Sequence, residues 1–344
     1  MPDNHLYQTN EMLPMVESLV IPGNFLLKAF FPEVIEFETQ EVKFDRVLDD
    51  RRLAPFVSPL APGKIQQPKG YQVETLVPAY LKPKNQVTGA EVMRRRAGEP
   101  LNGTMSPAER RDAAIMDYLF NHRAKIERRL EWMASSILRT GAVTIVGADY
   151  PSTLVDFSRA GTLTKTLTST ARWGESGVSP FTDTQTWINL VGTNSNSAVN
   201  IVVMDGLAWG YFVADPKTEK ALTRDLGQTA AISLGLRADL PGSPTFMGRI
   251  GGVEFYVYND LYEDDAGATQ KLLPDYTVIM GSQGGIEGAQ LFGSILDPRN
   301  DYGAARYFSK NWIQEDPAGE FVMTQSAPIL APRRINATLA ATVR

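Results

Sequence analysis

The chain has 344 residues, 43% of them hydrophobic, which is enough for a substantial core and for about two domains. A formal net charge of −5 and an isoelectric point near 5.3 argue against sequence-specific nucleic-acid binding as the default. The absence of cysteine excludes disulfides, thiolate metal sites and cysteine nucleophiles, and only two histidines, His5 and His122, remain.

In chain order, residues 1 to 35 mix apolar pieces (Met12 to Val20, Phe25 to Phe31) with Pro14, Pro22 and Pro32, which prevent one long helix and suggest an extended arm. Alternation follows at Val42 and Phe44, and again at Tyr71, Val73, Thr75 and Val77, with the turn-rich Phe56 to Gly63 between them. Residues 38 to 84 therefore read as a long two-stranded hairpin closed by Lys82-Pro83-Lys84. A hairpin of that size cannot bury its own apolar face, so it is expected to lie against something else, a second subunit being the natural candidate.

Ser106-Pro107-Ala108-Glu109 is a capping box with proline at the first helical position. Ile115, Leu119, Ile126, Leu130, Met133 and Ile137 then recur at helical spacing, and Arg139 and Gly141 suit a helix end. The spacing predicts one helix from Ser106 to Thr140, about 50 Å long. Met116, Phe120 and Trp132 fall off the stripe and predict a second covered surface.

Strands are expected at Ala142 to Val146, Thr153 to Phe157, Asn200 to Met204, Gly252 to Tyr258 and Tyr276 to Met280, with a Thr/Ser-rich stretch to about residue 186. Asp205 is placed to cap a helix from Leu207 to about Ala214, followed by a segment from Pro216 to Leu226. Residues 187 to 315 suit a compact α+β domain inserted into the first one, and Phe321 to Ile329 and Ile335 to Val343 return to strand-like character.

Catalytic signals are weak throughout. A lone His122 on an apolar stripe cannot form a zinc site without further ligands. No Gly-x-Ser-x-Gly elbow occurs, and Gly281 to Gly288 lacks the lysine and hydroxyl residue of a phosphate loop. Asp264 with Asp265, or Asp205 with Asp215, are the only carboxylate pairs considered for hydrolysis, and each reads better as a turn or cap. No catalytic, cofactor-binding or metal residue is assigned. The basic clusters Arg94 to Arg96, Arg110-Arg111, Arg128-Arg129 and Arg333-Arg334 read as solvated or ion-paired faces. No signal-like leader and no run of about 18 apolar residues occur, so synthesis in the cytoplasm is expected, and the sequons at Asn102 and Asn336 are chance.

Phe30-Phe31-Pro32-Glu33, Phe56-Val57-Ser58-Pro59, Pro78 to Lys84, Lys310-Asn311-Trp312, Asp316-Pro317 and Phe321 to Pro328 run collinear from about residue 25 to 330. Together these motifs resemble the major capsid proteins of lambda-type tailed bacteriophages. The resemblance implies an α+β chain of the Hong Kong 97-like capsid fold. Set on this sequence, its parts are an N-terminal arm (1–37), an extended hairpin loop (38–92), a peripheral domain built on the spine helix (93–186), an axial domain (187–315) and a return to the peripheral domain (316–344). It further implies hexamers and pentamers of the chain itself, scaffold and portal partners, in some members a decoration protein, nonspecific contact with packaged double-stranded DNA, and expansion of a procapsid. The product would be a virion shell assembled in the host cytoplasm, without membrane contact. The lambda-type pattern does not include the lysine–asparagine cross-link of some relatives, and none is assigned. Two other readings are a cellular nanocompartment shell, which would need a cargo-docking pocket, and an aspartate-pair hydrolase.

Overall fold

The computed structural model describes residues 12, 23–39, 41–47, 71–95, 105–147, 150–225, 244–264, 266–316 and 319–344. Its longest element is the spine helix, Pro107–Thr140. At its start the Ser106 amide donates to the Glu109 carboxylate at 2.6 Å, and the Glu109 amide donates back to the Ser106 hydroxyl at 3.3 Å. Both ends of the capping box thus satisfy amides that the helix itself leaves open. At the other end Gly141 turns left-handed at φ 79°, where a Cβ would meet the Arg159 Cβ at 2.8 Å. The Arg159 guanidinium donates to the open carbonyls of Leu138 and Arg139, closing the last turn. Ile115, Leu119, Ile126, Leu130, Met133 and Ile137 are all buried, as their spacing predicts.

The second covered surface is different from the one expected. Phe120 is 38% exposed and Met116 and Trp132 are half-buried, while Glu127, Glu131 and Ser135, four residues apart on another face, are buried, and His122 is buried within the apolar stripe. The spine therefore packs one apolar stripe and one polar stripe.

The core has two main bodies. In the first, the spine packs with the helix Phe25–Phe30, whose Leu26, Leu27 and Phe30 are buried, and with two three-stranded sheets. One sheet joins Glu33–Glu36, Gly288–Phe292 and Pro328–Pro332; the other joins Phe308–Gln314, Gly319–Gln325 and Lys84–Val87. Residues 25–36, expected as part of an extended arm, thus belong to the core and to a sheet. The reason is the apolar face of Phe25–Phe30, where Leu26, Leu27 and Phe30 are buried while Lys28 stays exposed.

The second body is a six-stranded sheet in the order Thr164–Thr166, Thr338–Thr342, Thr277–Gly281, Ile201–Met204, Val253–Val257, Thr245–Ile250. The strand Ile201–Met204 is buried at every position, with a parallel neighbour on one side and an antiparallel one on the other. A cluster around Trp173, Trp187, Val191 and Phe212 packs on this sheet, Trp173 and Trp187 stacking at 5.9 Å between centroids. Thr338–Thr342 lies inside this sheet, so the last segment of the chain contributes strands to both bodies.

Four element assignments change. Val42–Val47 does pair antiparallel with Tyr71–Leu76, but Lys84 opens a separate strand paired with Gly319–Gln325 and so does not close the hairpin. The turn expected at Phe56 to Gly63 lies outside the described residues. Phe321 to Ile329 divides into Gly319–Gln325 and Pro328–Pro332, and Ile335 to Val343 into a short 3-10 turn and the strand Thr338–Thr342. The Thr/Ser-rich region ends in a helix, Pro180–Ser195, capped by Ser179, that the composition hid. Its Thr184, Thr186, Thr193 and Ser195 hydroxyls donate to carbonyls four residues back, so poor helix formers are accommodated there.

Candidate functional site

The polar stripe of the spine is the site to which the other parts of the chain attach. Glu131 accepts from the amides of Leu26 and Leu27 at 2.7 and 2.9 Å and from the Tyr258 hydroxyl at 2.9 Å. These are open amides at the start of Phe25–Phe30, and a carboxylate is the natural partner for that end of a helix. Burial pushes the Glu131 carboxyl up to about 7, against the pull of its three donors, and nearby Asp260 raises it further. Burial and the same carboxylate also push the Tyr258 phenol above its ordinary value. One turn earlier, Glu127 accepts from Asn24, Tyr307 and Arg306. One turn later, the Ser135 hydroxyl donates to the Leu272 carbonyl. Three successive turns of one helix face therefore hold the segment entering at Asn24, the sheet around Tyr307 and the loop at Leu272.

His122 fixes the strand that returns from the hairpin. Its Nε2 lies 2.8 Å from Asn85 Oδ1 and its Nδ1 3.2 Å from Thr324 Oγ1. A neutral imidazole donating to the carboxamide oxygen and accepting from the hydroxyl satisfies both nitrogens. Burial first, and the charge of Lys125 second, hold its pKa down to about 4. Higher on the same side, Arg111 clamps Glu320 through two hydrogen bonds of 2.6 and 2.8 Å, and Asn311 donates to the same carboxylate at 3.1 Å. Behind the sheet, Asp297 accepts from Lys310, from Gln325 at 3.0 Å and from the Arg299 amide at 3.1 Å. Burial alone would raise Asp297, but Lys310 and the hydrogen bonds keep it below the usual carboxylate range.

The carboxylate pairs considered from sequence serve as caps and turns. Asp205 accepts from the Leu207 and Ala208 amides of Gly206–Val213, as its position predicts. Asp215 accepts from Ser179, Phe181 and Lys217, and Asp264 from the Ala266 and Ala268 amides of a tight turn. Asp265 lies outside the described residues. Among the described residues no cluster of three or more His, Asp or Glu side chains is arranged to hold a metal ion, and no helix is long and apolar enough to cross a membrane. The glycine-rich stretch has a packing reason: a Cβ at Gly288 would lie 2.1 Å from the Phe30 carbonyl oxygen. Of the basic clusters, Arg111 is ion-paired, Arg128 reaches Asp260 at 3.6 Å, Arg129 lies over Trp132, and Arg334 reaches Glu287 at 3.8 Å.

The buried glutamates went unseen in the sequence because each sits next to arginine or tryptophan in Glu127-Arg128-Arg129 and Glu131-Trp132, a pattern that reads as a charged surface. The one signal available was spacing, since Glu127, Glu131 and Ser135 recur every four residues and so fall on one face of the helix, while His122 lies on the apolar stripe.

The chain as a whole is similar to known proteins. The chain is 28% identical over 329 residues to the major capsid protein of Enterobacteria phage P21, covering 94% of this chain and 95% of that one. It is 27% identical over 329 residues to the major capsid protein of Escherichia phage lambda, with the same coverage. A crystal structure described as that of a prophage capsid protein from Escherichia coli CFT073 superposes with a TM-score of 0.77 at 23% identity, covering 99% of this chain and all of the other. The fold is therefore the Hong Kong 97-like capsid fold. The family profile described as phage major capsid protein E matches residues 8–343, and with that match across nearly its whole length the chain belongs to the phage major capsid protein E family.

Proposed function

We propose that this chain is the structural shell subunit of a tailed-phage head, assembling with copies of itself into hexamers and pentamers around packaged double-stranded DNA. The observation that carries this reading is the attachment of the entering segment and the returning hairpin strand to one rigid helix, through Glu127, Glu131 and His122. A shell subunit needs a stiff body from which extended parts reach neighbours, and buried, hydrogen-bonded joints supply it. In this reading the function is mechanical and not catalytic. The arm, hairpin, peripheral and axial divisions of the chain are our assignment, as are scaffold and portal partners, a decoration protein, assembly in the host cytoplasm and expansion on maturation.

Expression of the full chain with its neighbouring head genes, followed by negative-stain microscopy and cryo-electron reconstruction, tests this. Closed shells with hexameric and pentameric clusters are expected. A monomer that persists at high concentration under all packaging conditions would refute the proposal.

A further inference from the structure

The two strands that follow the spine, Ala142–Gly147 and Tyr150–Asp156, form a two-stranded sheet joined to no other described strand. Its root is fixed to the end of the spine. The Ser136 hydroxyl donates to the Ala142 carbonyl at 3.2 Å, and the Phe157 amide to the Gly141 carbonyl at 3.0 Å. One face packs on the core: Val143 is buried, and Val155, directly opposite, is half-buried against the same cluster. The other face is bare. Thr144 and Leu154, also directly opposite each other, are exposed. Val146 at 62% and Leu154 at 64% are more exposed than any other large apolar side chain in a described strand.

Both strands of a two-stranded sheet are edges, and proteins guard sheet edges against stray pairing with charge or proline. Among the described residues every other strand at the edge of a sheet carries a charged residue or a proline, as Tyr150–Asp156 does with Pro151 and Asp156. Ala142–Gly147, with the sequence Ala-Val-Thr-Ile-Val-Gly, carries neither. The lack of charge limits what can cover this edge. A nucleic acid finds no cation on it, and a charged segment finds no counterion. A strand without charge fits, and every copy of this chain presents one. Antiparallel pairing of the edge with itself is isologous, so it closes at two copies. The outer edges of the four-stranded sheet so formed are the guarded strands Tyr150–Asp156, and pairing stops there.

We propose that Ala142–Gly147 of one subunit pairs antiparallel with Ala142–Gly147 of a neighbouring copy across a two-fold axis. This rests on the shell reading and names one of its contacts. Contacts within a ring of subunits run head to tail, whereas a two-fold contact joins a subunit of one ring to a subunit of the next. Each pairing is small, but it repeats throughout the shell.

Opposite charges introduced at one position test this, because across a two-fold axis a residue meets itself or its own near neighbours. Val146→Lys alone and Val146→Glu alone set like charges against each other, and each is expected to lower the yield of sedimenting particles by roughly tenfold or more. Melting of the unassembled subunit should be unchanged, since the side chain is exposed. Co-expression of the two variants is expected to recover most of the yield. Either variant assembling alone at the wild-type level would overturn the self-pairing while leaving the shell reading intact. So would a mixture no better than its components, which assigns the hairpin to a different surface. If charge at residue 146 disturbs folding, single cysteines decide the matter, because the chain has no cysteine of its own. Thr144→Cys and Val146→Cys, each made alone, are expected to give disulfide-linked dimers in oxidised particles. The absence of dimers from both refutes the pairing, whereas the absence of particles from the wild type refutes the shell reading and this contact with it.

Discussion

Glu131 offers a test whose sign follows from the structure. The carboxyl is pushed from 4.5 up to about 7 by burial, so the folded subunit holds a proton there that the unfolded chain has released. A raised pKa gives a contribution to stability that is complete below pH 4.5 and is lost as pH rises toward and through 7. A shift of that size corresponds to about 3 kcal/mol in total, of which about 2.5 kcal/mol falls between pH 5 and pH 8. Glu131→Gln keeps the shape and the acceptor oxygen but cannot titrate, so its stability has no such slope at this site. The assay is urea unfolding of unassembled subunit at pH 5 and pH 8, for the wild type and the variant together, since all other groups cancel in the difference. The wild type should lose about 2–3 kcal/mol relative to Glu131→Gln over that interval. A difference that stays constant with pH would show that the three donors outweigh burial, and that Glu131 is ionised in the folded subunit throughout. Glu131→Ala is a separate matter: it strands the Leu26 and Leu27 amides and the Tyr258 hydroxyl, and should cost about 3–5 kcal/mol at pH 5 and about 2.5 kcal/mol less at pH 8, where the wild type has lost its own contribution.

Ile126→Pro should cost about 3 kcal/mol or more in the helix interior and abolish closed shells; intact particles in a sucrose gradient would contradict the spine's role. Gly288→Ala forces a methyl group onto the Phe30 carbonyl, and because the obstacle is backbone the cost should reach about 3 kcal/mol, read by thermal melting together with faster proteolysis near residue 30. Arg111→Ala leaves the buried Glu320 carboxylate without its clamp, at about 3 kcal/mol. Arg111→Lys should recover only part of this, because an ammonium cannot form both hydrogen bonds; full recovery in urea unfolding would deny the bidentate geometry its weight.

The spine was legible because its signals are local: Ser106, Pro107 and Glu109 at one end, Gly141 at the other, and an apolar period between them. Asp205 was legible for the same reason. What stayed hidden depends on distant residues. Glu127 and Glu131 look like surface charges until Asn24, Leu26, Tyr258 and Tyr307 arrive from far along the chain. Pro180–Ser195 gives no helix signal where the Thr/Ser-rich stretch meets the following domain, because its threonines and asparagines favour other conformations in isolation, and burial of Trp187 and Val191 overrides that preference. The need for glycine at 288 is set by Phe30, more than 250 residues earlier in the chain. The family resemblance, carried by short collinear motifs, reached the fold without any of these contacts.

The placement of Thr338–Thr342 has a consequence for how the subunit is made. This strand lies between Thr164–Thr166 and Thr277–Gly281, both of which leave the ribosome before it. Until residue 342 has emerged, two strand edges stand open side by side, and such edges invite wrong pairing. A chain cut short before residue 338 would keep that gap permanently. It would be drawn to aggregates or to proteolysis, because the two edges that this strand pairs would stay open.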